Sequence, residues 1–290
     1  MKTQPWQLET GAYPFSIRFN PHYSHLDTER HVNNVAVQSF HTEARTRFHM
    51  AVLGDRAWFS DDVLLRPRRT VTHFLRETHY SHEVTAAVRL VAVEDNTYRL
   101  VQALFQRGEC VGVQECLMGA WRESGWVALP APVRRALEAE QVGGQPLLPW
   151  PELPAESETY EEGPRSVALT ARYADLDPDR RLAELALARY LEQARAGSVT
   201  MLRQPNLGLL VARIDIRYQR WDTGMGEVAL SSELAGIGNS SFVLRGRAAV
   251  DQRPVAMAES VMVLIDRDTH RPTPVTDRLR AEMAVLEPTA

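Results

Sequence analysis

Cysteine is scarce in this chain of 290 residues: Cys110 and Cys116 are the two it has. Six apart in one strand-like run, they would share a face yet lie roughly 20 Å apart, too far for a disulfide. A reducing, cytoplasmic setting is therefore the expectation. Apolar runs of about 20 residues, the length of a membrane-spanning helix, are missing. The stretch Met1 to Trp6 holds no apolar signal core, so neither a membrane span nor secretion is expected. Positive charge is not in excess: 33 Lys and Arg face 37 Asp and Glu, for a net charge of -4. That balance excludes a general attraction to nucleic acid or anionic lipid. Two H-x-x-H pairs, His22 with His25 and His79 with His82, have no cysteine or acid to complete a zinc set and no clear helix beneath them. Neither a metal nor another cofactor is expected.

What the chain has is a repeat. Hydrophobic residues make up 44% and charged residues 24% of a length that suits two globular domains. Leu26-Asp27-Thr28-Glu29-Arg30-His31-Val32 aligns with Leu176-Asp177-Pro178-Asp179-Arg180-Arg181-Leu182, an offset of 150. The register runs on without a gap: Ala36 meets Ala186, Phe40 meets Tyr190, Ala44-Arg45 meets Ala194-Arg195. From Phe74, which meets Tyr218, the offset is 144, and Glu83-Val84, Leu100 and Glu115 meet Glu227-Val228, Leu244 and Glu259. The first copy thus carries six extra residues, most naturally in the loop from Gly54 to Asp62, since surface loops absorb length cheaply. The boundaries that follow are a first domain over 1–122, a proline-rich linker over 123–163 with a short helix at Pro132 to Gln141, and a second domain over 164–290.

Each copy reads as a strand, a long helix, then several strands. In the first, Phe15 to Phe19 alternates as a strand, and a helix is predicted over Asn33 to Leu53. Val32, Ala36, Phe40, Ala44 and Phe48 form its four-residue apolar stripe, and Asn33 suits its N-cap. Strands are predicted over Val71 to Thr78, Glu83 to Val93, Tyr98 to Gln106 and Val111 to Trp121. The second copy repeats the plan with a helix over Ala183 to Leu202 and strands from Leu209, Glu227, Ser241 and Val255. A helix wrapped by an antiparallel sheet is an α+β layer architecture. The second layer would seal the edge that one copy leaves open.

Chemistry concentrates between Asp27 and Asn34. A carboxylate, an imidazole and the opening of a helix fall within eight residues. A helix N-terminus offers unpaired N–H groups and a positive dipole end, and a histidine exchanges protons near neutral pH. Such a set can activate a nucleophile and stabilise a developing oxyanion. Taken singly, each residue has a plainer reading. Asp27 suits a turn acid, His31 a structural hydrogen-bonder, and Glu43 a partner for Arg45 or Arg47. The basic run Arg66-Pro67-Arg68-Arg69, with Arg68 the candidate contact, either holds a phosphate-rich ligand or is a solvated loop end or strand edge. Trp58-Phe59 either lines an acyl channel or serves as ordinary core.

The run Asp27-Thr28-Glu29-Arg30-His31-Val32-Asn33-Asn34, followed by Glu43-Ala44-Arg45, resembles hotdog-fold acyl thioesterases, in particular the hydroxybenzoyl-coenzyme A and acyl-acyl-carrier-protein groups. The resemblance covers both repeats and is strongest over Tyr23 to Phe48. It implies two tandem hotdog domains forming a pseudo-dimer. It further implies hydrolysis of an acyl-coenzyme A or acyl-carrier-protein thioester, without a cofactor. Asp27 would be the catalytic carboxylate, Asn34 would point its backbone N–H at the thioester oxygen, and His31 would orient or deprotonate water. Glu43 matches a glutamate recurrent in these helices, while Asn33, Glu29 and Arg68 would contact substrate. The sequence departs from the pattern at Arg30, where many relatives have glycine, and at Glu29, where plant-type enzymes have asparagine. Glu29 either raises the pKa of a neighbouring carboxyl or points to solvent.

The second copy keeps Asp177 but has Arg181, Ala183 and Glu184 where the first has His31, Asn33 and Asn34. It is read as a degenerate site completing the acyl pocket, the alternative being a second, altered active site. Two other functions fit the resemblance less well: a hotdog hydratase or dehydratase, whose motif spaces aspartate and histidine five apart rather than four, and a non-catalytic acyl-binding module. A homodimer or larger homo-oligomer is the expected assembly.

Overall fold

A computed structural model describes residues 3–55, 63–143, 147, 149–150, 159–202, 204, 206–221 and 224–288. The chain divides into two compact units, 1–154 and 155–290. In the first, β1 (Phe15–Phe19) leads to α1 (Asn34–Leu53), followed by β2 (Leu64–Phe74), β3 (Val84–Val93), β4 (Thr97–Gln106), β5 (Glu109–Arg122) and the short β6 (Gly125–Val127), then α2 (Ala131–Glu140). The antiparallel spatial order is β1-β3-β4-β5-β2, with β6 on β5. Phe40, Ala44 and Phe48 bury α1 against the inner face of this sheet. Phe19 stacks on Phe40 at 5.6 Å and Phe15 meets Phe48 edge-on at 5.7 Å, which seats β1 over the helix. The β4–β5 turn is tight because Arg107 (φ 56°) and Gly108 (φ 81°) are both left-handed, the backbone that a two-residue hairpin demands.

The second unit has β7 (Arg165–Thr170), α3 (Glu184–Val199), β8 (Leu207–Tyr218), β9 (Glu227–Ile237), β10 (Ser241–Val250), β11 (Arg253–Asp266) and α4 (Asp277–Met283). Its strand order, β8-β11-β10-β9-β7, is that of the first unit. The duplication holds down to strand register. Val71, Glu115 and Val101 lie side by side, and so do Asp215, Glu259 and Arg245, each 144 residues later. Ile17 pairs with Ala86 as Val167 pairs with Leu230, so the offset is 150 in the leading strand and 144 in its partner. The length change therefore falls between helix and following strand. Part of it is one more helical turn, since α1 runs to Leu53 whereas α3 stops at Val199, the counterpart of His49. Trp58-Phe59 lies outside the described residues.

Several expectations need correction. Cys110 and Cys116 do not share a face: a bulge at Val111 separates them, so Cys116 sits in the core under α1 and Cys110 packs on the opposite face of the sheet. The same bulge recurs at Val255, whose carbonyl accepts from Gln219 and Arg220 as that of Val111 accepts from Leu75 and Arg76. Of the two plain readings of the basic run, loop end or strand edge, the loop end is the one to drop. The run lies within β2, where Pro67 adjoins a register shift, a place that tolerates the missing N–H. The stretch assigned to the linker begins inside unit 1: β6 pairs with β5, and α2 buries Leu137 in the first core. The sequence reading missed α4, which opens with Thr276 accepting from the N–H of Leu279. No helix among the described residues is long and apolar enough to cross a membrane.

Candidate active site

The loop before α1 is built by one side chain. Asp27 Oδ1 accepts from the backbone N–H of Glu29 (2.9 Å) and of His31 (3.0 Å), while the Asp27 N–H donates to the His31 carbonyl at 2.9 Å. This Asx-type closure holds Arg30 at φ 68°, the left-handed region that favours glycine, which accounts physically for the glycine of the resembling motif. Oδ2 of Asp27 has no hydrogen-bond partner among the described residues, so closing the loop uses one carboxylate oxygen and leaves the other.

The second copy makes the same loop. Asp177 Oδ1 accepts from Asp179 (2.9 Å) and Arg181 (3.0 Å), and Arg180 lies at φ 60°. The aspartate is thus required by the loop in both copies, and its presence at 177 does not by itself mark a second catalytic centre.

What separates the copies is the rest of the helix mouth. Asn33 caps α1 by accepting from the Val35 N–H at 2.7 Å, and its own N–H donates to the His25 carbonyl at 2.8 Å. The first turn beyond this cap begins with Asn34, whose backbone N–H has no intrahelical acceptor by construction. His31 is held from the β2–β3 loop: its Nε2 lies 3.3 Å from Glu77 Oε2, and its ring meets His79 edge-on at 6.0 Å. That loop is anchored, because the Val32 N–H donates to the Thr78 carbonyl at 2.9 Å. Gln106 also accepts from the His79 N–H and donates to the carbonyls of His79 and His82. Asp27, His31 and the opening turn of α1 therefore lie together, with Glu77 as an added acid.

In the second unit the mouth is tied down instead. Arg181 donates to the Trp221 carbonyl at 2.6 Å, and Trp221 stands where Glu77 stands in the first. Ala183 gives α3 no side-chain cap. Asp175, the counterpart of His25, accepts from Arg172 and from the Tyr190 hydroxyl at 2.8 Å. The Arg172 hydrogen bond, above the opposing effect of burial, holds the Asp175 carboxyl down at about 2.

The other candidates lie apart. Glu43 pairs with Arg47 at 2.8 Å on a half-exposed flank of α1, nine residues and about 14 Å along the axis from Asn34. Glu29 is exposed and contributes its N–H to the Asp27 loop. Arg68 lies over the Trp126 ring at 4.8 Å, six residues and roughly 20 Å up β2 from Phe74, away from the helix mouth. His22 and His25 stack at 5.0 Å, and the His22 N–H donates to His25 Nδ1. Sequence reading missed Glu77. The signal for it was present, since aligning the copies at an offset of 144 shows an acid replaced by Trp221.

No protein-family model matches the sequence, and no curated protein matches it. Solved structures do match. The chain is similar to the 12:0-ACP thioesterase of Umbellularia californica, with 16% identity, a TM-score of 0.74, and 86% of this chain and 94% of that one covered. It is similar to a Lactobacillus plantarum protein described as an oleoyl thioesterase, with 14% identity, a TM-score of 0.70, and coverage of 86% and 95%. An acyl-ACP thioesterase of Bacteroides thetaiotaomicron gives 12% identity, a TM-score of 0.63, and coverage of 85% and 96%. At these identities the likeness shows the fold: this chain is a tandem double hotdog.

Proposed function

We propose that the protein hydrolyses acyl thioesters at the mouth of α1 in the first unit. What supports this reading is that the loop closed by Asp27, the His31 held by Glu77 and the Asn33-capped start of α1 fall within one eight-residue stretch of the first copy, where the second has Arg181 and the uncapped Ala183. The thioester carbonyl docks against the N–H groups of that turn, which stabilise the oxyanion as it forms. In one route Asp27, with His31, draws a proton from the attacking water, the C–S bond breaks, and the thiolate leaves as the thiol on taking up that proton, the acyl group leaving as the acid. In the other, Asp27 attacks the carbonyl, the thiolate leaves as the thiol on taking a proton from His31, and water then hydrolyses the acyl–Asp27 anhydride, returning a proton to His31. Glu77 is a positioning residue that fixes the His31 ring. Arg181 and the uncapped Ala183 leave the second copy without this set.

The similar structures described as acyl-ACP thioesterases favour a substrate carried on acyl carrier protein over one on coenzyme A. Both present the same thioester. Fatty-acid metabolism in the cytoplasm and assembly as a homodimer belong to the same proposal. The test supplies saturated acyl-carrier-protein, acyl-coenzyme A and crotonyl-coenzyme A in parallel. Free thiol from the saturated substrates supports hydrolysis. Loss of the enoyl absorbance without thiol release would point to the hydratase, and binding without either to a non-catalytic module.

A further inference from the structure

Several interior positions of the first unit are polar where those of its copy are apolar. On α1, Asn34, Gln38, His41, Arg45 and His49 follow one another at three- and four-residue steps. They form a stripe that starts at the helix mouth and runs about 22 Å inward. Gln38, His41, Arg45 and His49 are all buried. In α3 the matching residues are Glu184, Ala188, Leu191, Arg195 and Val199.

The strands beneath differ in the same way. Thr72, Gln114 and Gln102 are register neighbours across β2, β5 and β4. Their counterparts are Ile216, Ala258 and Gly246, and Thr70 becomes Ile214.

These groups are not fully used by one another. Gln102 donates to the His41 carbonyl at 2.6 Å, Gln114 donates to Thr72 at 2.9 Å, and His49 Nε2 meets the Tyr98 hydroxyl at 2.8 Å. Yet both ring nitrogens of His41, Oε1 of Gln102, Oε1 of Gln114 and Oγ1 of Thr70 are buried with no hydrogen-bond partner among the described residues. Buried polar atoms are normally satisfied, and those left over call for an explanation. Here four such residues gather between the α1 stripe and β2, β4 and β5, a polar lane of side chains that begins at the helix mouth.

We propose that this lane receives the acyl chain and that the chain it selects carries hydroxyl groups. The inference rests on the thioesterase reading for its substrate, but not for the binding itself. Hydroxyl is the matching chemistry. The open groups are mainly acceptors, two amide oxygens and one imidazole nitrogen, with the His41 N–H and the Thr70 hydroxyl to donate. A hydroxyl both donates and accepts. A carboxylate offers no proton to the amide oxygens, and a plain alkyl chain would leave every one of them unpaired. Burial, reinforced by Arg45, holds His41 down at about 3, so its ring is neutral and keeps both a donor and an acceptor.

The test has two arms. Calorimetry measures binding of free fatty acids of one chain length, unsubstituted or hydroxylated at successive carbons, to the wild type and to His41→Leu/Gln114→Ala, which installs the residues of the second copy. Thiol release measures kcat/KM for the corresponding thioesters. At least one hydroxylated chain should bind about tenfold better than its unsubstituted partner, as one satisfied hydrogen bond gives, and the double variant should lose that preference. Equal binding of plain and hydroxylated chains by the wild type would overturn the proposal and leave the lane to water. This comparison needs no variant, so a double variant that fails to fold does not spare it. If no thioester is cleaved but the hydroxyl preference stands in calorimetry, the hydrolase reading falls and the lane survives.

Discussion

At the scale of single residues, Asp27 closes a loop and, in the proposed reaction, also carries chemistry, and one substitution can separate the two. Asp27→Asn keeps an oxygen for the Glu29 and His31 N–H groups and removes the charge, so the loop should stand while chemistry fails. Glu77 touches His31 and not the substrate, and its expected signature differs. His31→Gln should lower kcat by about a hundredfold, the usual scale for a lost acid–base group. Glu77→Gln should lower kcat less, leave KM unmoved, and be partly rescued by Glu77→Asp. A rise in KM with unchanged kcat in steady-state assays would mean that Glu77 serves binding instead. The Asp27–Asn34 run was legible because it is contiguous. Glu77 was not, because a loop about 45 residues away in sequence has to fold back before it meets His31.

At the scale of elements, α1 has a side-chain cap and a longer buried polar stripe than α3. Asn33→Ala should cost about 1 kcal/mol of stability through the lost cap, read as a lower urea midpoint. Ala183→Asn should move the midpoint the other way. The buried histidines of α1 set an acid limit. Burial, and secondarily Arg45, lowers both His41 and His49 from 6.5 to about 3. Between those values the unfolded chain binds protons that the folded chain refuses, so stability falls as pH drops from 6.5 toward 3. His41→Leu removes one of the two contributions, so its loss of stability between neutral and mildly acid pH should be smaller than that of wild type. An equal loss in both proteins would contradict this. The four-residue apolar stripe of the helix was plain in the sequence. The polar stripe beside it was not, because its meaning depends on the sheet that covers it.

At the scale of the whole molecule, two copies of one fold differ in where they place polar groups. In unit 1 the inner face of the sheet sets Thr70, Thr72, Gln102 and Gln114 among its apolar core residues, while the outer face holds an apolar cluster of Val101, Ala103, Phe105 and Val113 under Trp6 and Tyr13. In unit 2 the four matching inner positions are Ile214, Ile216, Gly246 and Ala258. Its outer face carries a cross-strand ion network in which Arg245 pairs with Glu233 and Glu259 at 2.8 Å, and Arg247 with Glu233. The repeat, with its single six-residue gap, carried the strand plan of one copy onto the other, since strand register survives even when side chains change character. Strand ends, the bulge that parts the two cysteines, and the terminal α4 escaped it, because pairing partners and local irregularities decide them rather than periodicity.

The division of labour between the copies is tested most directly by single-turnover thiol release with Asp27→Asn and Asp177→Asn side by side, each first shown by circular dichroism to be folded. The account predicts that Asp27→Asn abolishes release while Asp177→Asn retains it at close to the wild-type rate. Release lost in the Asp177 variant and kept in the Asp27 variant would contradict it.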